Sequence, residues 1–158
     1  MNTFASIVAG WIDAAFKAGP RFRRRHRDDG ELEVVIRAPK GSRAGALVVG
    51  TWRGDLWIRF APPHMSYPID SRAELLSVVR RLMSDRVQLA ATYRGDTWRG
   101  TTLIGRGQTP SPRRGEVIHV VSWSGRFDAM IEHGKAGIAY PEAARAGRAP
   151  SAGRDAPT

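Results

Sequence analysis

The string TWRGDLW, Thr51 to Trp57, returns 41 residues later as TYRGDTW, Thr92 to Trp98, with five of its seven positions identical. Each copy lies between runs in which apolar and polar residues alternate: Leu47, Val49, Leu56, Ile58 and Phe60 around the first, Val87, Leu89, Ala91, Thr102 and Ile104 around the second. Alternation with period two is the pattern of a half-buried strand, and two such runs joined across a glycine-containing pair make a hairpin. A chain holding two of these must build antiparallel sheet. Glycine at the first corner position, Gly54 before Asp55 and Gly95 before Asp96, suits a type II′ turn. That register sets Trp52 opposite Trp57 and Tyr93 opposite Trp98, aromatic clamps of about 0.2–1 kcal/mol each. SWSGRF, Ser122 to Phe127, reads as a looser third version.

The Arg-Gly-Asp triplet resembles the integrin-recognition sequence of secreted adhesion proteins. Tight turns select glycine and aspartate for structural reasons, and nothing marks the chain for export: no positive residue precedes its first apolar stretch. We therefore read the repeat as a turn plus an aromatic clamp.

The remaining elements follow from period and punctuation. Phe4, Ile7, Val8, Trp11, Ile12, Ala15 and Phe16 recur at helical spacing, and Gly19-Pro20 ends that helix. RFRRRHRDDG, residues 21–30, reads as an Arg-rich connector. Leu32, Val34 and Ile36 predict a strand, and 46–53 with 56–61 predict the first hairpin, stopped by PPHMSYP. Ser71 to Glu74 has capping-box spacing, Ser71 accepting from the Glu74 amide while the Glu74 carboxylate reaches back to the Ser71 amide. Leu75, Val78, Val79 and Leu82 supply the apolar stripe of a helix over 71–85. The second hairpin, 87–94 and 97–105, and a last strand, 116–123, complete an α+β domain of order α-βββ-α-βββ, an antiparallel sheet of hairpins packed by two helices. Its parts are an amphipathic N-terminal helix (1–20), the connector (21–30), the α+β core (31–133) and a flexible Ala/Gly/Arg/Pro tail (134–158). In element order alone this resembles the layout of small secretion chaperones, which bind protein partners; no residue motif carries the likeness.

Composition narrows the chemistry. With no cysteine among 158 residues there is no disulfide, thiolate nucleophile or zinc-thiolate site, and a cytoplasmic location is the default. A formal charge of +10 raises the expectation of an anionic partner. The bases are spread along the chain, however, and all but Lys17, Lys40 and Lys135 are arginine, as GC-rich coding would produce. Five of them gather at Arg21, Arg23, Arg24, Arg25 and Arg27, with Phe22 among them for stacking and Arg113 and Arg114 as support. These are the residues of a nucleic-acid contact, or of a peripheral membrane contact behind helix 1. Asp28, Asp29, Glu31 and Glu33 follow at once and reduce the local field.

No constellation points to catalysis. His26, His64, His119 and His133 lack metal-ligand spacing, and no cofactor loop is present; GRGQTPSPRRG, Gly105 to Gly115, lacks the ending of a phosphate-binding loop. His119 alternates with Val117 and Val121 as a partly buried strand residue. Ser122 and Ser124 lack a nucleophile elbow. Asp55 and Asp96 are turn formers that would have to converge before acid–base chemistry could be argued, and an enzyme built on His119 would need Asp96 or Asp128 beside it.

What remains is the unequal use of the two hairpins. Tyr93 and Trp98 fall on the apolar face of theirs. Trp52 and Trp57 fall on the opposite face, with Gly50, Arg59 and Ala61. Tryptophan and arginine outside the core are typical of binding hot spots. The expected function is accordingly a non-catalytic, bacterial-type domain that binds a protein partner through Trp52, Trp57 and Arg59, as an immunity, inhibitor or chaperone-like protein does. The alternative is a nucleic-acid-binding module using the arginine segment.

Overall fold

A computed structural model describes residues 3–15, 22–135 and 138–139. The fold is α+β. Helix α1 (Thr3–Ala15) is followed by β1 (Arg23–His26), β2 (Leu32–Arg37), β3 (Ala46–Trp52), β4 (Asp55–Phe60) and β5 (Ser66–Ile69). Helix α2 (Arg72–Met83) leads to β6 (Val87–Arg94), β7 (Thr97–Gly105), β8 (Glu116–Val121), β9 (Ala129–Glu132) and the two-residue β10 (Ile138–Ala139).

The strands form two antiparallel sheets, not one. In the first, sheet order is chain order, β1 to β5; in the second it is β10-β9-β8-β6-β7, so β8 skips over β7 to pair with β6. Each half of the chain thus holds more strands than the three expected. Strand β1 is the presumed connector: its four side chains are exposed, so it carries no apolar signal, yet its backbone pairs with β2 from Arg23↔Val35 to His26↔Leu32. Strand β5 contains Pro68, which an edge strand tolerates because one side of its ladder is open. Two residues of the presumed tail, Ile138 and Ala139, pair with β9; residues 140–158 and the Gly19-Pro20 stop lie outside the described residues.

The core forms where the inner face of the first sheet meets both helices and one face of the second. Leu32, Val34, Ile36, Leu47, Val49, Ile58 and Phe60 are buried there against Val8 and Ile12 of α1, Leu75 and Leu82 of α2, and Leu89, Ala91 and Val121. Trp123 completes it, its ring 6.3 Å from that of Phe60; the SWSGRF segment is therefore a core plug and a β8–β9 connection rather than a third aromatic clamp. A smaller cluster of Ala90, Ile118, Val120 and Ile131 lies on the other face of the second sheet. The α1 stripe is narrower than expected: Ala5, Val8, Ala9 and Ile12 are buried, while Ile7 is 47% exposed on the flank. In α2 the Ser71 hydroxyl accepts from the Glu74 amide at 3.1 Å, but the Glu74 carboxylate accepts from the Asp70 amide, one residue before the expected one, at 2.7 Å.

The repeated string folds in two registers. In the first hairpin Trp52 pairs with Asp55 and Gly50 with Trp57, so the corner is Arg53-Gly54 rather than Gly54-Asp55. Both corner residues have positive φ, 50° and 87°, which makes a type I′ turn. The expected Trp52/Trp57 clamp does not form. Two contacts account for the shift. The Glu31 carboxylate accepts from the Arg53 amide at 3.0 Å and from the Thr51 hydroxyl at 2.6 Å, which holds Arg53 at the corner. Trp57 in turn lies on Gly50, where a Cβ would come within 2.5 Å of its ring.

The second hairpin keeps Gly95-Asp96 at the corner and pairs Tyr93 with Trp98 as the sequence implies. Beyond that pair, Thr92 sits opposite Gly100 and leaves Arg99 as an extra residue. This bulge reverses the alternation of β7. Thr101 and Leu103 pair with Ala91 and Leu89 of the core face, whereas Thr102 and Ile104, expected there, turn the other way.

Candidate partner-binding groove

The outer face of the first sheet carries Glu33, Val48, Gly50, Trp57 and Arg59. Half-buried Trp57 is held flat by Gly50 beneath it and by the Arg59 guanidinium 5.4 Å from its ring centroid. Arg59 is steadied by buried Glu33 at 3.8 Å, which Arg25 approaches at 3.5 Å. Trp52 stands at the hairpin end, 49% exposed, with the Arg53 guanidinium 5.0 Å from its ring. Trp52, Trp57 and Arg59 therefore lie on the face that alternation assigns them.

The β4–β5 connection, residues 61–65, brings in the second hairpin. His64, held at φ 60°, stacks on Trp98 at 5.1 Å between centroids and 12° between planes. Its Nδ1 lies 3.1 Å from the Tyr93 hydroxyl, and its carbonyl accepts from the Thr101 hydroxyl. The Trp98 indole N–H donates to the same Thr101 oxygen at 3.1 Å. Burial raises the pKa of the Tyr93 phenol above its ordinary value.

Trp98 is thereby fixed across from Trp52 and Trp57. It is 45% exposed, not a core residue as its place beside Tyr93 suggested. Between the hairpins runs an open groove of about 600 Å³, walled by Phe4, Trp52, Trp57, Tyr67, Pro68 and Trp98, with Asp55 and Asp70 also on its lining. Sequence reasoning missed Trp98, His64 and the β5 wall. The only hint was the repeat itself, whose two ends meet here.

Behind Tyr93 stands His119, edge-on at 5.3 Å. Its pKa is lowered below the ordinary 6.5, first by burial and then by the charge of Arg43. The folded protein holds this proton less tightly than the unfolded chain does. The contribution to stability is complete above pH 6.5 and is lost as the pH falls from there through the lowered folded value. Urea midpoints should therefore decline between pH 7.5 and pH 5, and His119→Gln should flatten part of that decline; an equal decline in the variant would assign it to other groups.

The other candidates are scattered. Arg21 lies outside the described residues. Arg24, Arg25 and Arg27 are ion-paired with Asp13, Glu33 and Asp29 respectively. Phe22 packs against the core instead of offering a free stacking face. Arg113 and Arg114 belong to the β7–β8 connection of the second sheet, whereas Arg23 to Arg27 run along the far edge of the first. His26 is exposed on β1, and the His133 ring bonds the Pro112 carbonyl at 2.9 Å. Asp55 lines the groove; Asp96 is at the other hairpin's corner and does not. Among the described residues no group of three or more His, Asp or Glu is placed to hold a metal ion, and no helix is long and apolar enough to cross a membrane. Compared with family models, with curated proteins and with solved structures, the chain matches none.

Proposed function

We propose that this is a non-catalytic domain that binds a protein partner in the groove between its two hairpin ends, in the manner of bacterial immunity, inhibitor or chaperone-like proteins. One observation carries the reading: Trp52, Trp57 and Trp98, from two separate hairpins, wall a single open groove. Large aromatic side chains left half-exposed side by side, rather than scattered singly, mark interaction surfaces. The Trp57 ring is set in advance by Gly50 and Arg59, and the Trp98 ring by His64 and Thr101. Such preorganisation reduces the ordering cost of association. A groove of about 600 Å³ admits a few apolar side chains of a partner segment. In this reading the domain acts in the cytoplasm, and the arginine segment has no part in recognition.

The test is quantitative cross-linking in cells of the source organism, comparing wild type with Trp52→Ala, Trp57→Ala and Trp98→Ala. A partner that uses the groove should be retained by wild type and lost from all three variants, with affinity reduced at least about 30-fold for a hot-spot tryptophan. Cooperative unfolding of each variant establishes that the fold survives. The same polypeptides captured equally by wild type and variants would refute the proposal.

A further inference from the structure

The groove between the hairpins differs in charge from the chain as a whole. The sequence holds 25 lysines and arginines against 15 aspartates and glutamates. Among the described residues the groove lining reverses that balance, with Asp55 and Asp70 and no base. Arg53 and Arg59 lie over Trp52 and Trp57, but neither is part of the lining. Both aspartates are exposed, and among the described residues neither side chain is held by an ion pair or a hydrogen bond. The Asp70 contact with Glu74 is made by its main-chain amide.

Strand pairing sets the acids beside the aromatic rings. Asp55 is the cross-strand partner of Trp52 in the β3–β4 ladder. The β4–β5 ladder pairs Trp57 with Pro68 and Leu56 with Ile69, and the same register carried one position further sets Asp70 against Asp55. Like charges at neighbouring cross-strand positions repel, and a cation between them relieves the repulsion. Trp98 forms the opposite wall. His64 covers one face of its ring at 5.1 Å between centroids, which leaves the other face to the groove. An indole face and a pair of carboxylates attract the same kind of group, a cation. Lysine and arginine side chains satisfy both surfaces at once, because an apolar stem lies along the rings while the charged head reaches the acids.

On the reading of this groove as a partner site, we propose that the partner segment inserts a basic side chain, arginine or lysine, whose stem lies between Trp52 and Trp98 and whose charge meets Asp55 and Asp70. Tyr67 and Pro68 contact the apolar residues that flank it. Hot spots on one surface pair with hot spots on the other, and arginine is among the residues enriched in them.

The experiment uses the full-length chain as the target for a phage-displayed library of random short peptides, with Trp52→Ala as the counter-target. Peptides kept by wild type and rejected by the variant should carry arginine or lysine at one recurrent position. The tightest of them is then synthesised as selected and with a neutral counterpart at that position, citrulline for arginine or norleucine for lysine, and titrated by tryptophan fluorescence. The neutral peptide should bind about tenfold or more weakly. Asp55→Asn/Asp70→Asn should weaken the basic peptide by a similar factor and leave the neutral one nearly unchanged, a coupling that a general loss of stability would not produce. Urea unfolding of each variant verifies its fold. Trp52-dependent peptides that lack a basic residue would overturn the proposal and leave the partner groove standing, as would a neutral peptide or a double variant that binds as tightly as the original pair. A library that yields no Trp52-dependent peptide would overturn both. In sedimentation, a wild-type dimer that Trp52→Ala dissociates would seat a second copy in the groove and overturn a separate partner.

Discussion

Replacing Thr51 with valine is expected to lower the free energy of unfolding by about 2–4 kcal/mol, although the two side chains have nearly the same shape. Thr51 is fully buried, and its hydroxyl accepts from the Leu32 amide at 2.9 Å while donating to the Glu31 carboxylate at 2.6 Å. Valine removes both bonds at once and offers neither buried group a substitute. Because the volume is kept, the loss measures the polar contacts rather than a cavity. A urea titration should show the midpoint falling at constant slope. Thr92 occupies the equivalent place in the second copy of the string, but it faces the opposite side of its sheet and is only half-buried. Thr92→Val should therefore stay within about 0.5 kcal/mol of wild type. Equal losses at the two positions would contradict the assignment of the two threonines to opposite faces.

Gly50→Ala is expected to destabilise by about 1–3 kcal/mol, the usual cost of forcing an extra carbon into a packed site. In most strands the same change stabilises by roughly 0.5–1 kcal/mol, because alanine surrenders less chain entropy than glycine. Here the added carbon would meet the Trp57 ring at 2.5 Å, closer than any real contact of that kind. The ring would have to swing off the sheet and leave Arg59. Its fluorescence should then report a wetter indole, and groove binding should fail with it. Combining Gly50→Ala with Trp57→Ala removes the collision, so the double variant should be more stable than the sum of the single losses implies. Strict additivity would show that the ring can give way without cost.

Features governed by neighbours in sequence were legible before any coordinates. Alternation identified the inner face of the first sheet, and the Ser71 cap and its Leu75-to-Leu82 stripe identified α2. Alternation also placed Trp52 and Trp57 away from the core. Strands β1 and β5 were hidden because Arg23–His26 carries only polar side chains and Ser66–Ile69 contains a proline, so neither presents the hydrophobic signal on which period reading depends. The register of the first hairpin was out of reach for a different reason. It depends on Glu31, more than 20 residues before the corner, and on the space above Gly50. Trp98 was misassigned because its exposed place is set by stacking on His64, a residue of the distant β4–β5 connection.

The strand order of the first sheet bears on how the chain is made. Every pairing from β1 to β5 joins consecutive strands, so each closes a short loop at small entropic cost, and the whole ladder is present once Ile69 has been synthesised. Its inner side is then a row of apolar side chains with Val8 and Ile12 of α1 available to cover part of it, while the other covering residues, from Leu75 in α2 through Leu89 to Val121 and Trp123, have yet to emerge. During translation this half of the molecule is a formed sheet whose apolar face is covered only in part, by α1. It is the stage at which the nascent chain is most prone to self-association or capture by holding factors, and release from that hazard waits on the arrival of β8.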